Sequence, residues 1–207
     1  MSPRRKDIIA RAAGVVYRQG FGASTIADIL KAATVGRGNF YHYFTGKEDL
    51  GLAIIDELGE EVGGQQLDDI FSPLKLPMQR LADYIEIVRS SCVAHHTGDP
   101  LSTLASELGA TPPYADRVRK AMHALIDRME ALVSEFAVES QATVDAPRVA
   151  RAVVAQVHGL CTQFKVERDE AAFSDGMNAV AETVIGAVAH APRDGRPSSV
   201  DRLRVTG

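Results

Sequence analysis

Apolar side chains recur along the chain at helical intervals. Over residues 78–96, Leu81, Ile85, Val88 and Cys92 step by four, three and four, which sets them on one stripe of a helix. Residues 114–138 repeat the pattern with Val118, Met122, Leu125, Met129, Leu132 and Phe136. Val149, Val153, Val157, Leu160 and Phe164 form a third stripe, and Phe173, Met177, Val180, Val184 and Val188 a fourth. No comparable stretch alternates with period two, so the pattern predicts an all-α fold.

The boundaries carry start and stop chemistry. Asp99-Pro100 offers a carboxylate for orphan amides and a proline already set to helical φ, opening a short helix through Leu101, Leu104 and Leu108 that ends at the Gly109-to-Pro113 stretch. Asp145-Ala-Pro147 and Asp169-Glu170 open the last two helices by similar means. Beyond His190 the composition turns to Pro, Arg, Asp, Gly and Ser, which predicts a mobile tail over residues 191–207.

The first fifty residues are the most informative. A helix is expected from Pro3 to Gln19, burying Ile8, Ile9, Ala12, Ala13, Val16 and Tyr17 and stopping at Gly20-Phe21-Gly22. A second begins at Ser24 or Thr25, where Thr25-Ile-Ala-Asp28 has the spacing of a capping box. After a tight turn at Thr34-Val35-Gly36, a third short helix from Arg37 to Tyr43 turns Phe40 and Phe44 inward at i and i+4. A fourth opens with a second box spacing, Thr45-Gly46-Lys47-Glu48. Two short helices joined by a tight turn and braced by a preceding helix are the parts of a helix-turn-helix reader. The outward residues of its second helix suit a base edge and a phosphate chain. Arg37 donates to guanine or phosphate, Asn39 pairs with adenine, Tyr41, His42 and Tyr43 offer hydroxyl, imidazole and ring contacts, and Gly38 admits the backbone closely. Lys47, at a helix N-terminus, adds a charge beside free amides.

Charge changes this picture only once it is divided. The whole chain of 207 residues carries a formal −4, which argues against nucleic acid. Residues 1–45, however, hold seven basic side chains (Arg4, Arg5, Lys6, Arg11, Arg18, Lys31, Arg37) against Asp7 and Asp28, a local +5, while the remainder carries −9. A basic head on an acidic body restores a phosphate partner. The two cysteines, Cys92 and Cys161, stand 69 residues apart without metal-finger spacing, so no disulfide framework, metal or cofactor is expected, and a reducing cytoplasm fits. Arg11 and Arg18 interrupt the first apolar stretch, and no run is long enough for a membrane span.

Residues 7–50 resemble the DNA-binding head of the TetR (tetracycline repressor) family of transcriptional regulators. The resemblance rests on Gly20-Phe21, Ser24-Thr25-Ile26, Asp28-Ile29, Ala32-Ala33, Val35, Arg37-Gly38, the run Phe40-Tyr41-His42-Tyr43-Phe44 and Lys47-Glu48-Asp49-Leu50. It covers about a fifth of the chain, and residues 96–108 are similar to the sensor domain of one branch of the family. Two departures stand in the turn. Thr34 replaces the usual glycine and must take a conformation that glycine adopts freely. Gly36 replaces the usual hydroxyl cap, at a cost of about 0.5 kcal/mol, and leaves its backbone amide as the phosphate candidate.

The resemblance implies a helix-turn-helix domain over residues 1–46 and a helical ligand-binding and dimerisation domain over 47–190. The expected DNA contacts are Ser24, Thr25, Gly36, Arg37, Gly38, Asn39, Tyr41, His42, Tyr43 and Lys47. The last two helices, with Gly176, Ala179, Ala181, Gly186 and Ala187, are expected to pair two subunits, a dimer being needed to read a palindromic operator. A small-molecule effector of unspecified identity is expected among Ile85, Val88, Cys92, His96, Leu104, Leu108, Met122, Met129 and His158. The function expected is that of a ligand-released repressor. No enzyme motif stands beside it: Gly36-Arg-Gly38 follows a helix, not a strand, and no G-x-S-x-G, H-E-x-x-H or P-loop occurs. A helical adaptor whose head binds protein is the alternative.

Overall fold

The computed structural model describes residues 2–63, 65–95 and 97–191. Among them lie ten helices and no strand: α1 (Pro3–Gln19), α2 (Ile26–Ala33), α3 (Arg37–Tyr43), α4 (Lys47–Gly63), α5 (Gln65–Ile70), α6 (Pro77–His95), α7 (Pro100–Leu108), α8 (Ala115–Glu139), α9 (Ala146–Glu167) and α10 (Glu170–Ala189). The tail expected beyond His190 falls, apart from Ala191, outside the described residues, as does His96.

Four helix starts, those of α2, α7, α9 and α10, are set by single side chains. Asp99 accepts from the Ser102 amide at 2.7 Å, Asp145 from Arg148 at 3.1 Å and Asp169 from Ala172 at 3.0 Å. Each cap satisfies an amide that the helix itself leaves without a partner, worth about 1 kcal/mol. The box expected at Thr45-Glu48 forms differently. The Thr45 amide donates to Asp49 at 2.9 Å, because α4 begins at Lys47 and its third residue is therefore Asp49, not Glu48.

The long α8 lies at the centre, packed against α4, α6, α7 and α9, with α10 laid across α9 and α6. Its stripe of Val118, Leu125, Met129 and Leu132 is buried, as are Val153, Val157, Cys161 and Phe164 of α9 and all five stripe residues of α10. Burial of each such side chain contributes about 1.5–3 kcal/mol. The α9–α10 turn is fixed by the Phe164 and Phe173 rings, stacked with centroids 4.6 Å apart. A Cβ on Gly176 would stand 2.4 Å from Leu160, so this glycine serves packing inside the protomer. Gly159 and Gly186 have open space beside them.

Among the described residues, one charged side chain lies in the interior. Arg80 is 4% exposed, donates through Nε to the Lys75 carbonyl at 2.9 Å and pairs with Glu135 of α8. A buried guanidinium demands such partners, and they pin α6 to α8.

Candidate nucleic-acid interface and effector cleft

The head is built around a capped α2. Thr25 Oγ1 accepts from the Asp28 amide at 3.1 Å, and Asp28 Oδ2 accepts from the Thr25 amide at 2.9 Å and from its hydroxyl at 2.6 Å. These bonds from Thr25 hold the Asp28 carboxyl below its ordinary range. Helix α2 ends at Thr34, whose φ of 54° and ψ of 46° are left-handed, as the sequence predicts for a residue standing where glycine is easier. The Thr34 amide bonds back to Lys31 and the Val35 amide to Leu30, so the turn is closed by main-chain contacts.

That turn throws α3 across the head. Phe40 and Phe44 are fully buried with ring centroids 5.5 Å apart, and the Arg5 guanidinium lies 5.0 Å from the Phe44 centroid. With the aromatic side of α3 anchored, Arg37, Gly38, Asn39, Tyr41 and His42 are left exposed, Tyr41 by 53%. Nothing lies within 4 Å of a Cβ built on Gly36 or Gly38, so the start of α3 is a bare backbone surface that a phosphate chain can approach. Gly36 caps α3 with no side-chain hydrogen bond.

Three of the expected contacts are placed differently from the rest. Ser24 is 2% exposed and donates its hydroxyl to the Gly20 carbonyl at 2.6 Å, so it braces the α1–α2 loop. Tyr43 is half-buried, its ring edge-on to His42. Lys47 is half-buried as well, its ammonium 3.2 Å from the Gly22 carbonyl and 4.5 Å from the Phe21 centroid. Thr25 is exposed at the N-terminus of α2.

The α1–α2 loop is also where the head meets the body. The Gly22 amide donates to Glu107 of α7 at 3.0 Å. Phe21 packs edge-on against Tyr114 at 5.5 Å, and a Cβ on Gly51 of α4 would come within 2.6 Å of the Phe21 ring. Glycine at position 51 is therefore what lets the loop seat on α4.

A cleft of about 180 Å³ opens at the other end of α7. Its apolar wall includes Leu58, Leu67, Leu101 and Leu125, and its polar points are Tyr84, Ser91 and Asp99. Of the side chains named from sequence, Val88 and Cys92 line it. Ile85, Leu104, Leu108 and Met129 are buried in the core, and Met122 is half-buried against it. His158 stands behind Asp99, its buried Nε2 3.3 Å from the carboxylate but without hydrogen-bond alignment. Tyr84 is 4% exposed, and burial, reinforced by the charge of Asp99, pushes its hydroxyl well above its ordinary range. Tyr84 and Ser91, not among the residues named from sequence, share a face of α6 with Val88 by the spacing 84, 88, 91. A larger groove of about 720 Å³ runs between α4 and α8, but it is edged by Asp56, Glu60, Arg117 and Lys120 with an Arg117–Asp56 ion pair, a solvated charged surface. Among the described residues no cluster of three His, Cys, Asp or Glu side chains has metal-binding geometry, and no helix is long and apolar enough to cross a membrane.

Residues 8–54 match the family model described as bacterial regulatory proteins, tetR family. The chain is 25% identical over 169 residues to an uncharacterized HTH-type transcriptional regulator in the lacX 3′ region of Lactococcus lactis subsp. lactis, covering 80% of this chain and 85% of that one. It is 23% identical over 193 residues to the HTH-type transcriptional repressor DhaR of Mycobacterium sp. (strain GP1), covering 89% and 93%. The fold is shared with the regulatory protein TetR from Rhodobacter sphaeroides, with a TM-score of 0.79, 23% identity, and coverage of 88% of this chain and 99% of that one.

Proposed function

The chain belongs to the tetR family of bacterial regulatory proteins, and from that premise we propose that it is a transcriptional repressor which binds a two-fold-symmetric operator as a homodimer and leaves it when a small molecule occupies the cleft. The observation that carries this reading is the face of α3, where Arg37, Gly38, Asn39, Tyr41 and His42 stand exposed over a buried Phe40–Phe44 pair. Residues 1–46 form the reading head and residues 47–190 the sensing and pairing body. Arg37 and Asn39 supply base readout, with His42 beside them. Thr25, Tyr41 and the backbone amide at Gly36 position the head on phosphates, while Lys47 and Tyr43 act from the edge of the head.

One head covers too few base pairs for a useful specificity ratio, so two subunits pair through α9 and α10. Support comes from the small or open positions those helices present outward, Ala152, Ala155 and Gly159 on α9, and Gly186 with Ile185, 46% exposed, on α10. The effector works through α7. Asp99, Pro100 and Leu101 at its start line the cleft, and Glu107 near its end holds the Gly22 amide of the head. A molecule seated in the cleft biases the head by no more than its differential affinity for the two states, of the order of 1–3 kcal/mol. The protein acts by binding rather than catalysis, in the cytoplasm.

Salt separates this reading from a head that binds protein. Phosphate neutralisation makes log affinity fall steeply and linearly with log salt, by about 0.9 per phosphate contacted. Titration of a fluorescent duplex across ionic strength is expected to give that line. A duplex affinity indifferent to salt would refute the DNA-binding head.

A further inference from the structure

The chain has two cysteines, and the fold brings them together. Cys92 on α6 and Cys161 on α9, 69 residues apart, are both free and buried, with Sγ atoms 3.7 Å apart. Cys92 borders the cleft. Cys161 lies beneath the start of α7, where a Cβ on Gly98 would lie 3.6 Å from its carbonyl oxygen. One thiol thus stands at the cleft and the other against the cap of α7, in contact with each other.

We propose that Cys92 and Cys161 are an oxidation site, which a small uncharged hydroperoxide entering the cleft converts to an intramolecular disulfide that a dithiol reverses. The sulfur of Cys92 attacks the terminal oxygen of the hydroperoxide. The O–O bond breaks, the alcohol leaves, and Cys92 becomes a sulfenic acid. The sulfur of Cys161 then displaces water, which takes the Cys161 proton, and the S–S bond forms. A dithiol reductant restores both thiols by exchange and is itself oxidised. A disulfide requires about 2.05 Å between sulfurs, so the pair must close by about 1.7 Å, a distance within reach of side-chain rotation on two facing helices.

The order of events follows from the surroundings. Contact with Cys92 and burial push the Cys161 thiol above its ordinary range, and Cys161 does not line the cleft. Cys92 is the atom a molecule in the cleft meets first, and Cys161 resolves the product. The bond ties α6 to α9 under the Asp99 cap, and α7 carries that change to Gly22. This last consequence rests on the proposed role of α7; the oxidation does not.

The test uses the full-length protein treated with tert-butyl hydroperoxide, then alkylated in denaturant and mapped by mass spectrometry. Expected are loss of both alkylatable thiols, a Cys92–Cys161 cross-linked peptide within one chain, and recovery with dithiothreitol. Cys161→Ser is expected to accumulate a dimedone-reactive sulfenic acid on Cys92, and Cys92→Ser to keep its remaining thiol over the same exposure. Cys92→Ala and Cys161→Ala, which bury no new polar atom, repeat the comparison if a serine variant unfolds. Two thiols surviving in the native protein, a cross-link only between chains, or equal oxidation of Cys92→Ser would overturn the site. Oxidised wild type is expected to bind a duplex about tenfold more weakly than reduced. An intact disulfide with unchanged duplex affinity overturns the link to the head, whereas failure of the reduced protein to bind any duplex overturns the proposed function instead.

Discussion

The Gly22 amide donates to Glu107 Oε2 at 3.0 Å across 85 residues of sequence, joining the loop that precedes the reading helices to the last turn of α7. Around this bond the loop is fitted to its seat. Gly20 has φ of 91°, and a Cβ there would lie 2.6 Å from Glu107 Oε1. Glu107→Ala is expected to cost about 1 kcal/mol, lowering Tm by roughly 2–4 °C. Gly20→Ala is expected to cost more, of the order of 1–3 kcal/mol, because it adds backbone strain to the collision. Thermal unfolding followed by circular dichroism checks both; a Gly20→Ala variant as stable as wild type would show that the loop does not need this geometry.

Arg37 and Lys47 are expected to fail in different ways. Arg37 sits on the exposed face of α3, so Arg37→Ala should cost about 1–3 kcal/mol of operator binding and relax preference at one base position of each half-site. Lys47 is tied to the Gly22 carbonyl and the Phe21 ring. Lys47→Ala should weaken binding to all duplexes alike and also lower Tm, through loss of a cation–π contact worth about 0.5–1 kcal/mol. Duplex titrations with operator and scrambled sequence, alongside melting curves, distinguish the two patterns.

The left-handed Thr34 marks a site where the natural sequence carries strain. Thr34→Gly is expected to stabilise the protein by about 1 kcal/mol, since a β-branched residue at φ of 54° pays a penalty that glycine escapes. Urea unfolding measures this as a raised midpoint at unchanged slope.

The Arg80–Glu135 pair sets an acid dependence. Its hydrogen bond with Arg80 holds the Glu135 carboxyl below its ordinary value of 4.5. The stabilisation is therefore full above that value and is lost as pH falls through the lower, folded one. Glu135→Gln should cost about 1 kcal/mol near neutrality, a modest figure because the Glu135 side chain is 47% exposed, and the deficit against wild type should vanish in acid. Urea midpoints for both proteins from pH 7 down to about pH 3 test the sign.

What the sequence made legible was local. The stripes on α6, α8, α9 and α10 follow from spacing alone, and Thr25, Asp99, Asp145 and Asp169 announce their helices because a cap acts over three residues. Counted from its hydroxyl, Thr45 pairs with Glu48 in a box spacing, but the helix starts at Lys47 and the bond goes to Asp49. Ser24 carries nothing in its neighbours to reveal that its hydroxyl turns back to Gly20. The contacts of longest range were the least legible. The meeting of Cys92 with Cys161, of Glu107 with Gly22 and of Arg80 with Glu135 depends on how helices cross, which periodicity within one helix does not encode.

Two copies of the head are expected to read a symmetric site on DNA. Selection of bound sites from a random duplex library by the wild-type protein, repeated with Arg37→Ala, tests it most directly. Expected is enrichment of a palindromic or near-palindromic sequence whose half-sites lie one or more helical turns apart, with preference blurred at one position per half-site in the variant. Enrichment of no symmetric site, or an identical site from wild type and Arg37→Ala, would contradict it.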